Sequence, residues 1–465
     1  MIPPPLPSRR GPAWWAWALI AFALLPFDPI LEKVLPAAPR EGKPAVSAAT
    51  SPEDLALLKL QSQAAIAAAK VDPTSTEKML EDLTKSVSGD RAAVALALLE
   101  SFLHPGNSGA EAHLARLSDR VDEKLAALAR KALREGLEEG ERAELREKMG
   151  WFAGLARAPG LEDPPETASL RTRAMLVLGI LGMGMMLVCA GGIAGVCLLI
   201  FHLRRLKDGR TQNRFAPSPV PGGVLLECFA LYLGIMSAGA LAGAFAAAYL
   251  GPVTYVVAVV VPLLWPRVRG VKWRDFRLAT GLHRGAGWGK EILCGAVGYL
   301  VVMAVASIGI GITLALVFLV GWWEGLGSEA ASASGGLPAG GGGSAGGAAG
   351  PQTHPIVGWI YEGNFWQRVL CLVLAAGFAP LFEELYFRGA LQRYFRGRFR
   401  FFASALLTGL IFAALHPQGF YAIPALGAIG LAFSMLREWR DSLLAPMTAH
   451  AINNGTLVLV LWWML

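Results

Sequence analysis

Several apolar runs in this chain are long enough to cross a lipid bilayer, and they constrain its fold more than any other feature. A helix needs about 20 consecutive apolar residues to span a hydrocarbon core of roughly 30 Å. Runs of this kind recur from residue 174 onward. The composition agrees, because 54% of the residues are hydrophobic and only 17% are charged. The sequence therefore predicts an all-α, polytopic helical membrane protein that resides in a lipid bilayer.

About nine spans are predicted when a short Trp-rich run near the N terminus is included. That run, residues 13–27, resembles a signal peptide, but no small-residue cleavage site follows it, so we interpret it as an uncleaved anchor. The other predicted spans lie at about 174–203, 222–250, 252–265, 290–321, 366–387, 401–416, 419–436 and 443–464.

Changes in composition along the chain predict five regions. They are a transmembrane anchor at 1–27, a soluble α-helical domain at 28–172, transmembrane helices at 173–323, a Gly/Ala-rich linker at 324–355 and a transmembrane core at 356–465. The soluble domain has charged, amphipathic patterns, which predict helices at 51–70, 74–87, 90–103, 110–137 and 139–157.

Basic clusters at every second loop set the expected orientation. They are Arg9–Arg10, Arg204–Arg210, Arg267–Arg277, Arg393–Arg400 and Arg437–Arg440. By the positive-inside rule these loops are cytoplasmic, which places the 28–172 domain outside, where it is free to meet an extracytoplasmic partner. We expect the plasma (inner) membrane as the location. Because the basic residues flank spans, the net charge of +7 does not indicate a nucleic-acid partner.

Three of the last four predicted spans carry polar side chains at helical spacing, and these are the candidate site residues. An ionised group at the centre of a span costs about 2.5–3.5 kcal/mol even on lenient scales, so such groups indicate function. A spacing of four residues places two side chains on one helix face, and Arg388 is expected to neutralise Glu384 as an ion pair. The residues are Glu383, Glu384 and Arg388, then Phe412 and His416, then His450 and Asn454.

Two hydrolytic mechanisms fit these residues. In the first, Glu383 and His416 hold and deprotonate a water, while His450 and Asn454 donate hydrogen bonds to the resulting oxyanion. In the second, Glu383, His416 and His450 bind a zinc ion whose water is the nucleophile. The cofactor stays open at this point. The metal-free mechanism is preferred, because the amide of Asn454 is a poor zinc ligand and a good oxyanion donor.

The three motifs EE-x-x-x-R, F-x-x-x-H and H-x-x-x-N resemble the signature of the CPBP family. This family comprises CAAX prenyl endopeptidases and bacteriocin-processing proteins and is also called the Abi family. The resemblance covers about residues 365–460. It implies an intramembrane endopeptidase that cleaves a membrane-associated protein or peptide, with CAAX-type processing as one form. The implied roles are water activation by Glu383 and His416, an oxyanion hole from His450 and Asn454, and support of the site by Glu384 and Arg388.

A non-catalytic membrane protein is the alternative from another class. Such a protein would be a transporter whose Glu and His side chains relay protons, or a scaffold with the same fold. A proton relay needs groups across the whole membrane thickness, whereas the candidate residues are predicted to cluster toward one side. The pattern therefore favours the enzyme.

Overall fold

The computed structural model describes residues 14–24, 50–71, 75–86, 89–106, 108–118, 121–208, 217–245, 250–333, 354 and 356–465. Within these ranges the regular structure is helical, without a β-strand. The predicted all-α class is confirmed, and the chain is a polytopic helical membrane protein.

The helices are, in chain order, α1 (Trp14–Ala23), α2 (Pro52–Val71), α3 (Ser75–Ser86), α4 (Asp90–Leu103), α5 (Gly109–Leu114), α6 (Glu123–Arg134), α7 (Glu139–Met149), α8 (Thr167–Lys207), α9 (Gly222–Phe245), α10 (Leu250–Val268), α11 (Trp273–Thr280), α12 (Trp288–Ala333), α13 (Ile356–Glu362), α14 (Phe365–Arg396), α15 (Phe401–Ala414), α16 (Ile423–Arg440) and α17 (Leu444–Met464).

Six of the described helices have the length and hydropathy of membrane spans: α8, α9, α12, α14, α16 and α17. Three shorter apolar helices, α1, α10 and α15, occupy the positions of the remaining predicted spans. At 1.5 Å per residue, the ten residues of α1 cover only ~15 Å, about half of a hydrocarbon core. The nine predicted spans therefore correspond to six full-length helices and three short ones.

The chain divides into two compact units, which we call the membrane unit and the helical unit. The membrane unit comprises Met1–Asp28, Leu187–Thr353 and Leu372–Leu457. The helical unit comprises Pro29–Met186, His354–Cys371 and Val458–Leu465. The domain borders expected from composition stay predictions. In the region of the predicted linker 324–355, α12 continues to Ala333, and residues 334–353 and 355 lie outside the described residues.

In the helical unit, side-chain caps fix where helices begin. Ser51 Oγ accepts a hydrogen bond from the Asp54 amide at 3.0 Å and caps α2. Asp122 accepts bonds from the amides of Lys124 and Leu125, which caps α6. Each cap satisfies main-chain donors that have no partner within the helix. The apolar faces of these helices enclose one buried core.

The single helix predicted over 110–137 is wrong, because the structure has two helices there, α5 and α6. Ser118 lies between them, and both its amide and its hydroxyl donate to the carboxylate of Asp90, at 2.9 and 2.7 Å. A serine bonded to a distant carboxylate competes with the helical main-chain pattern. The predicted helix 139–157 is also shorter, since α7 ends at Met149 and a 3₁₀ turn, Gly150–Leu155, begins at Gly150, whose φ is 56°.

Glycines allow the helices of the membrane unit to pack closely. A Cβ on Gly409 of α15 would lie 2.6 Å from the carbonyl oxygen of Gly427 in α16. A Cβ on Gly309 of α12 would lie 2.4 Å from the carbonyl oxygen of Pro424, also in α16. Small residues at such contacts are typical of helices that associate within a bilayer. They bring α12, α15 and α16 together around the polar residues described next.

Candidate active site

Glu384 of α14 accepts two charged hydrogen bonds at the centre of the candidate site. Its Oε1 atom lies 2.8 Å from Arg388 Nη1 and 2.9 Å from His450 Nδ1. Glu384 and Arg388 are fully buried, and His450 is 3% exposed. The ion pair expected between Glu384 and Arg388 is therefore formed. The bond to His450 was not anticipated, because nothing in the sequence fixes how α14 and α17 face each other.

Arg388 has further partners that hold its guanidinium in place. Nη2 donates to the main-chain carbonyl of Gly430 in α16 at 3.0 Å. The guanidinium carbon lies 4.6 Å from the centre of the Phe412 ring and 5.2 Å from that of Phe433. Cation–π contacts of this kind gain strength when water is excluded. The ring of His450 also stacks on Phe433, with centroids 4.8 Å apart.

Glu383 occupies the neighbouring position and has different surroundings. Its side chain is 22% exposed, and its Oε2 atom lies 3.8 Å from His450 Nε2, beyond hydrogen-bond length. Among the described residues, Oε2 is a buried oxygen without a hydrogen-bond partner. Buried carboxylate oxygens are normally bonded, and Oε2 of Glu384 is likewise without a partner among the described residues. Glu383 differs from Glu384 in its exposed fraction and in lacking the bonds to Arg388 and His450 that Oε1 of Glu384 makes.

His416 lies two residues after the last residue of α15 and is followed by Pro417. Its Nδ1 atom lies 2.7 Å from the carbonyl oxygen of Phe412, one turn earlier. A carbonyl only accepts, so Nδ1 carries the hydrogen and Nε2 keeps its lone pair in the neutral ring. The Phe412 ring contacts both histidines, at 4.3 Å from the His416 ring and 6.0 Å from that of His450. His416 thus joins the group through Phe412.

Asn454 lies one turn beyond His450 on α17 and contacts α14. Its Nδ2 atom donates to the carbonyl oxygen of Ala375 at 3.0 Å. The sequence identified Asn454 by its spacing but gave no signal for Ala375, which takes part through its main chain.

Two π-helical stretches interrupt α14 on either side of the glutamates. The first π segment is Leu374–Phe378, and the second π segment is Leu385–Leu391. Between them, the six residues Ala379–Glu384 are α-helical and carry both carboxylates. Single π turns within α-helices are frequent at functional sites. Pro380 is the residue from which an interruption of α14 could have been predicted, since a proline removes a main-chain donor.

The zinc alternative needs three donors that converge. In the part of the chain that the structure describes, no group of three or more His, Cys, Asp or Glu side chains is arranged to hold a metal ion. In the expected set of Glu383, His416 and His450, the Nδ1 atoms of the two histidines bond to Phe412 O and Glu384, so each ring would have to offer Nε2 to a metal. Because the three side chains are not arranged to converge, they do not fit a zinc site, and no step is derived through a metal.

Two carboxyl side chains, a guanidinium and two imidazoles among apolar helices define an integral membrane protein with a polar intramembrane site. Residues 365–456, which contain every candidate site residue, match the family model of type II CAAX prenyl endopeptidase Rce1-like proteins. The match agrees with the resemblance to the CPBP family and supports a CAAX-type intramembrane protease at the level of the family. It covers 92 of the 465 residues. No curated protein and no solved structure matches the chain.

Proposed function

We propose that this protein is an intramembrane endopeptidase that hydrolyses a peptide bond of a membrane-associated protein or peptide, with CAAX-type substrates as the first class to test. The observation that carries the proposal is the buried, unpartnered Oε2 atom of Glu383, 3.8 Å from His450 Nε2. A carboxylate oxygen without a partner is able to accept a hydrogen from a water molecule, and Nε2 of His450 lies beside it as a donor for an oxygen of the substrate. A base next to a held water is what peptide hydrolysis requires.

In the proposed mechanism, Glu383 acts as general base and then as general acid. The water donates one hydrogen to Glu383 and the other to Nε2 of His416, which directs an oxygen lone pair at the peptide carbonyl. Glu383 removes a proton as the water oxygen bonds to the carbonyl carbon. The same proton passes to the leaving nitrogen when the C–N bond breaks, so one water yields one carboxylic acid and one amine.

The oxyanion of the tetrahedral intermediate is stabilised by Nε2–H of His450 and one Nδ2–H of Asn454 in this proposal. Because Nδ1 of His450 donates to Glu384, a hydrogen on Nε2 means an imidazolium.

We further propose that the protein lies in the plasma (inner) membrane with its basic loops in the cytoplasm. The site would then receive substrates from the cytoplasmic side, while residues 28–172 would meet any partner outside. The alternation of basic clusters with predicted spans supports this orientation.

The test uses the purified full-length chain in lipid vesicles with a prenylated peptide that ends in a CAAX sequence. A parallel comparison of membrane proteins from cells with the wild type or Glu383→Gln identifies substrates of other kinds. Glu383→Gln keeps the size of the side chain and removes its basicity, so cleavage should fall by at least about 10²-fold with an unchanged melting temperature. His416→Ala should also abolish cleavage.

Glu162→Gln is the matched control, because Glu162 is an exposed carboxylate of the helical unit. It should leave cleavage unchanged. Full cleavage by Glu383→Gln, or identical membrane proteins in the two cell lines together with an uncleaved peptide, would reject the proposed function and favour a transporter or scaffold.

A further inference from the structure

Asn454 is anchored to α14 at a carbonyl group that the helix itself leaves without a donor. The amide of Ala379 donates to the carbonyl of Leu374, five residues earlier, in the first π segment. The next residue, Pro380, has no N–H. The carbonyl of Ala375 would normally receive one of these two donors. Nδ2 of Asn454 takes that place at 3.0 Å. A main-chain acceptor within a membrane helix needs such a partner, so the anchor is strongly favoured.

The amide of Asn454 is oriented from its other side by Asn453. Nδ2 of Asn453 donates to Oδ1 of Asn454 at 3.2 Å. If the Asn454 amide were rotated by 180°, its Oδ1 atom would face the carbonyl oxygen of Ala375, and its NH₂ group would face the NH₂ group of Asn453. Neither contact is a hydrogen bond. Ala375 uses only one of the two Nδ2 hydrogens of Asn454. The other hydrogen is then held in a defined direction and is able to bond to a substrate oxygen.

Asn453 is oriented in turn by Tyr299 of α12. The Tyr299 hydroxyl donates to Asn453 Oδ1 at 3.4 Å, which directs the NH₂ group of Asn453 at Asn454. Gly455 permits the close approach of α17 and α14, since a Cβ there would lie 3.3 Å from the Cβ of Ala376. The donors therefore point in one direction across three helices, from Tyr299 through Asn453 and Asn454 to the Ala375 carbonyl.

We propose that Asn453 and Tyr299 are positioning residues that hold the Asn454 amide in the direction needed for oxyanion stabilisation. They act through Asn454 and do not contact the reacting atoms. This inference rests on the proposed function, in which Asn454 donates to the oxyanion. Its physical basis is that a linked chain of hydrogen bonds in an apolar interior orients each member through the next.

The test measures kcat and KM for the prenylated CAAX peptide in vesicles, with Tyr299→Phe in the wild type and in Asn454→Ala. Loss of one neutral hydrogen bond predicts about a fivefold lower kcat for Tyr299→Phe, with KM changed less than about twofold. Asn454→Ala alone should lower kcat by ~10²–10³. Tyr299→Phe should have no further effect on kcat in that background, because residues that act as one unit are not additive.

Asn453→Asp is the second variant, because a carboxylate still accepts from Tyr299 but cannot donate to Asn454. It should lower kcat more than Tyr299→Phe does. Tyr394→Phe is the control. Tyr394 is buried in the same unit and lies eleven residues from Glu383 along α14, or ~16 Å. It should leave kcat and KM unchanged.

The outcomes separate this inference from the proposed function. If Tyr299→Phe lowers kcat by the same factor in the wild type and in Asn454→Ala, or if it changes only KM, the positioning role is overturned while hydrolysis by Glu383 stands. An unchanged kcat in both Tyr299→Phe and Asn453→Asp would overturn it as well. Absence of cleavage by the wild type, or full cleavage by Glu383→Gln, rejects the proposed function and the positioning role together.

Discussion

His450 Nδ1 lies 2.9 Å from Glu384 Oε1, the same oxygen that Arg388 reaches at 2.8 Å. One carboxylate therefore fixes both the cation of α14 and the imidazole of α17. This leaves Nε2 of His450 directed toward the other carboxylate, Glu383, at 3.8 Å. Two adjacent glutamates thus have different surroundings. Oε1 of Glu384 accepts from both Arg388 and His450, whereas the Glu383 side chain is 22% exposed and makes neither of these bonds; Oε2 has no partner among the described residues in either glutamate.

Arg388→Ala should lower the free energy of unfolding by ~3–5 kcal/mol, because it leaves Glu384 buried without its cation. The carbonyl of Gly430 loses a donor as well. The measurement is thermal or denaturant unfolding in detergent. Arg134→Ala is the control, since Arg134 pairs with Glu111 at 3.1 Å on the exposed surface, where such a pair contributes at most about 1 kcal/mol. Equal stability of Arg388→Ala and the wild type would contradict the structural importance of the buried pair.

Treatment with a chelator should leave cleavage unchanged, because the proposed nucleophile is a water held by Glu383 and His416. A zinc site made by Glu383, His416 and His450 would instead lose its metal and its activity together, and regain both when zinc returns. The measurement is the metal content and the cleavage rate of the purified protein before and after the chelator. Stoichiometric zinc that leaves together with activity would replace the metal-free mechanism, while the hydrolase assignment would remain.

Lys59 of the helical unit should give the protein a pH-dependent stability. Its Nζ atom donates to the carbonyl of Leu465 at 2.5 Å and lies 5.9 Å from the rings of Trp151 and Tyr361. Burial, with a smaller effect of the nearby Arg368, lowers the pKa of Lys59 from 10.5 to about 8. Between these values the folded state has released the proton and the unfolded state still binds it, so stability rises with pH.

The melting temperature of the wild type should therefore rise relative to that of Lys59→Met between pH 8 and about 10.5, with no relative change from pH 6 to 7.5. Thermal unfolding at a series of pH values makes the comparison. Lys78→Met is the control, because Lys78 is exposed on α3, and it should follow the wild type at each pH. Parallel curves for Lys59→Met and the wild type would show that Lys59 has no shifted titration.

The basic loop 393–400 and the N terminus should both be cytoplasmic, with residue 100 outside, because the basic clusters alternate with the predicted spans. The measurement is labelling of single cysteines by a membrane-impermeant reagent, in a variant whose five native cysteines are replaced. Labels at Lys124, which is exposed in the same domain as residue 100, and at residues 397–400 should appear from opposite sides. Labelling of Lys124 from the cytoplasmic side would disprove both the orientation and the predicted span order.

The sequence predicted the helical class because a continuous apolar run long enough to span a bilayer can satisfy its main-chain hydrogen bonds there as a helix. It also predicted the Glu384–Arg388 pair, since an i,i+4 spacing is local. Contacts between helices were not predictable from spacing. The Gly430 carbonyl that binds Arg388 and the Phe433 ring that stacks on His450 both lie on α16, and no pattern in α14 or α17 points to them. The break at Ser118 was missed because its partner, Asp90, is distant in sequence.

The π segments of α14 determine where a change in the number of residues would alter the direction of Glu383. Each α-helical residue turns the chain by about 100°, and a π turn accommodates one residue more than an α turn. Loss of one residue from one π segment would turn that segment into an α turn of nearly the same rotation, and both carboxylates would keep their side of the helix. Loss of a residue elsewhere in α14 would instead turn the carboxylates by about 100° relative to one end of the helix.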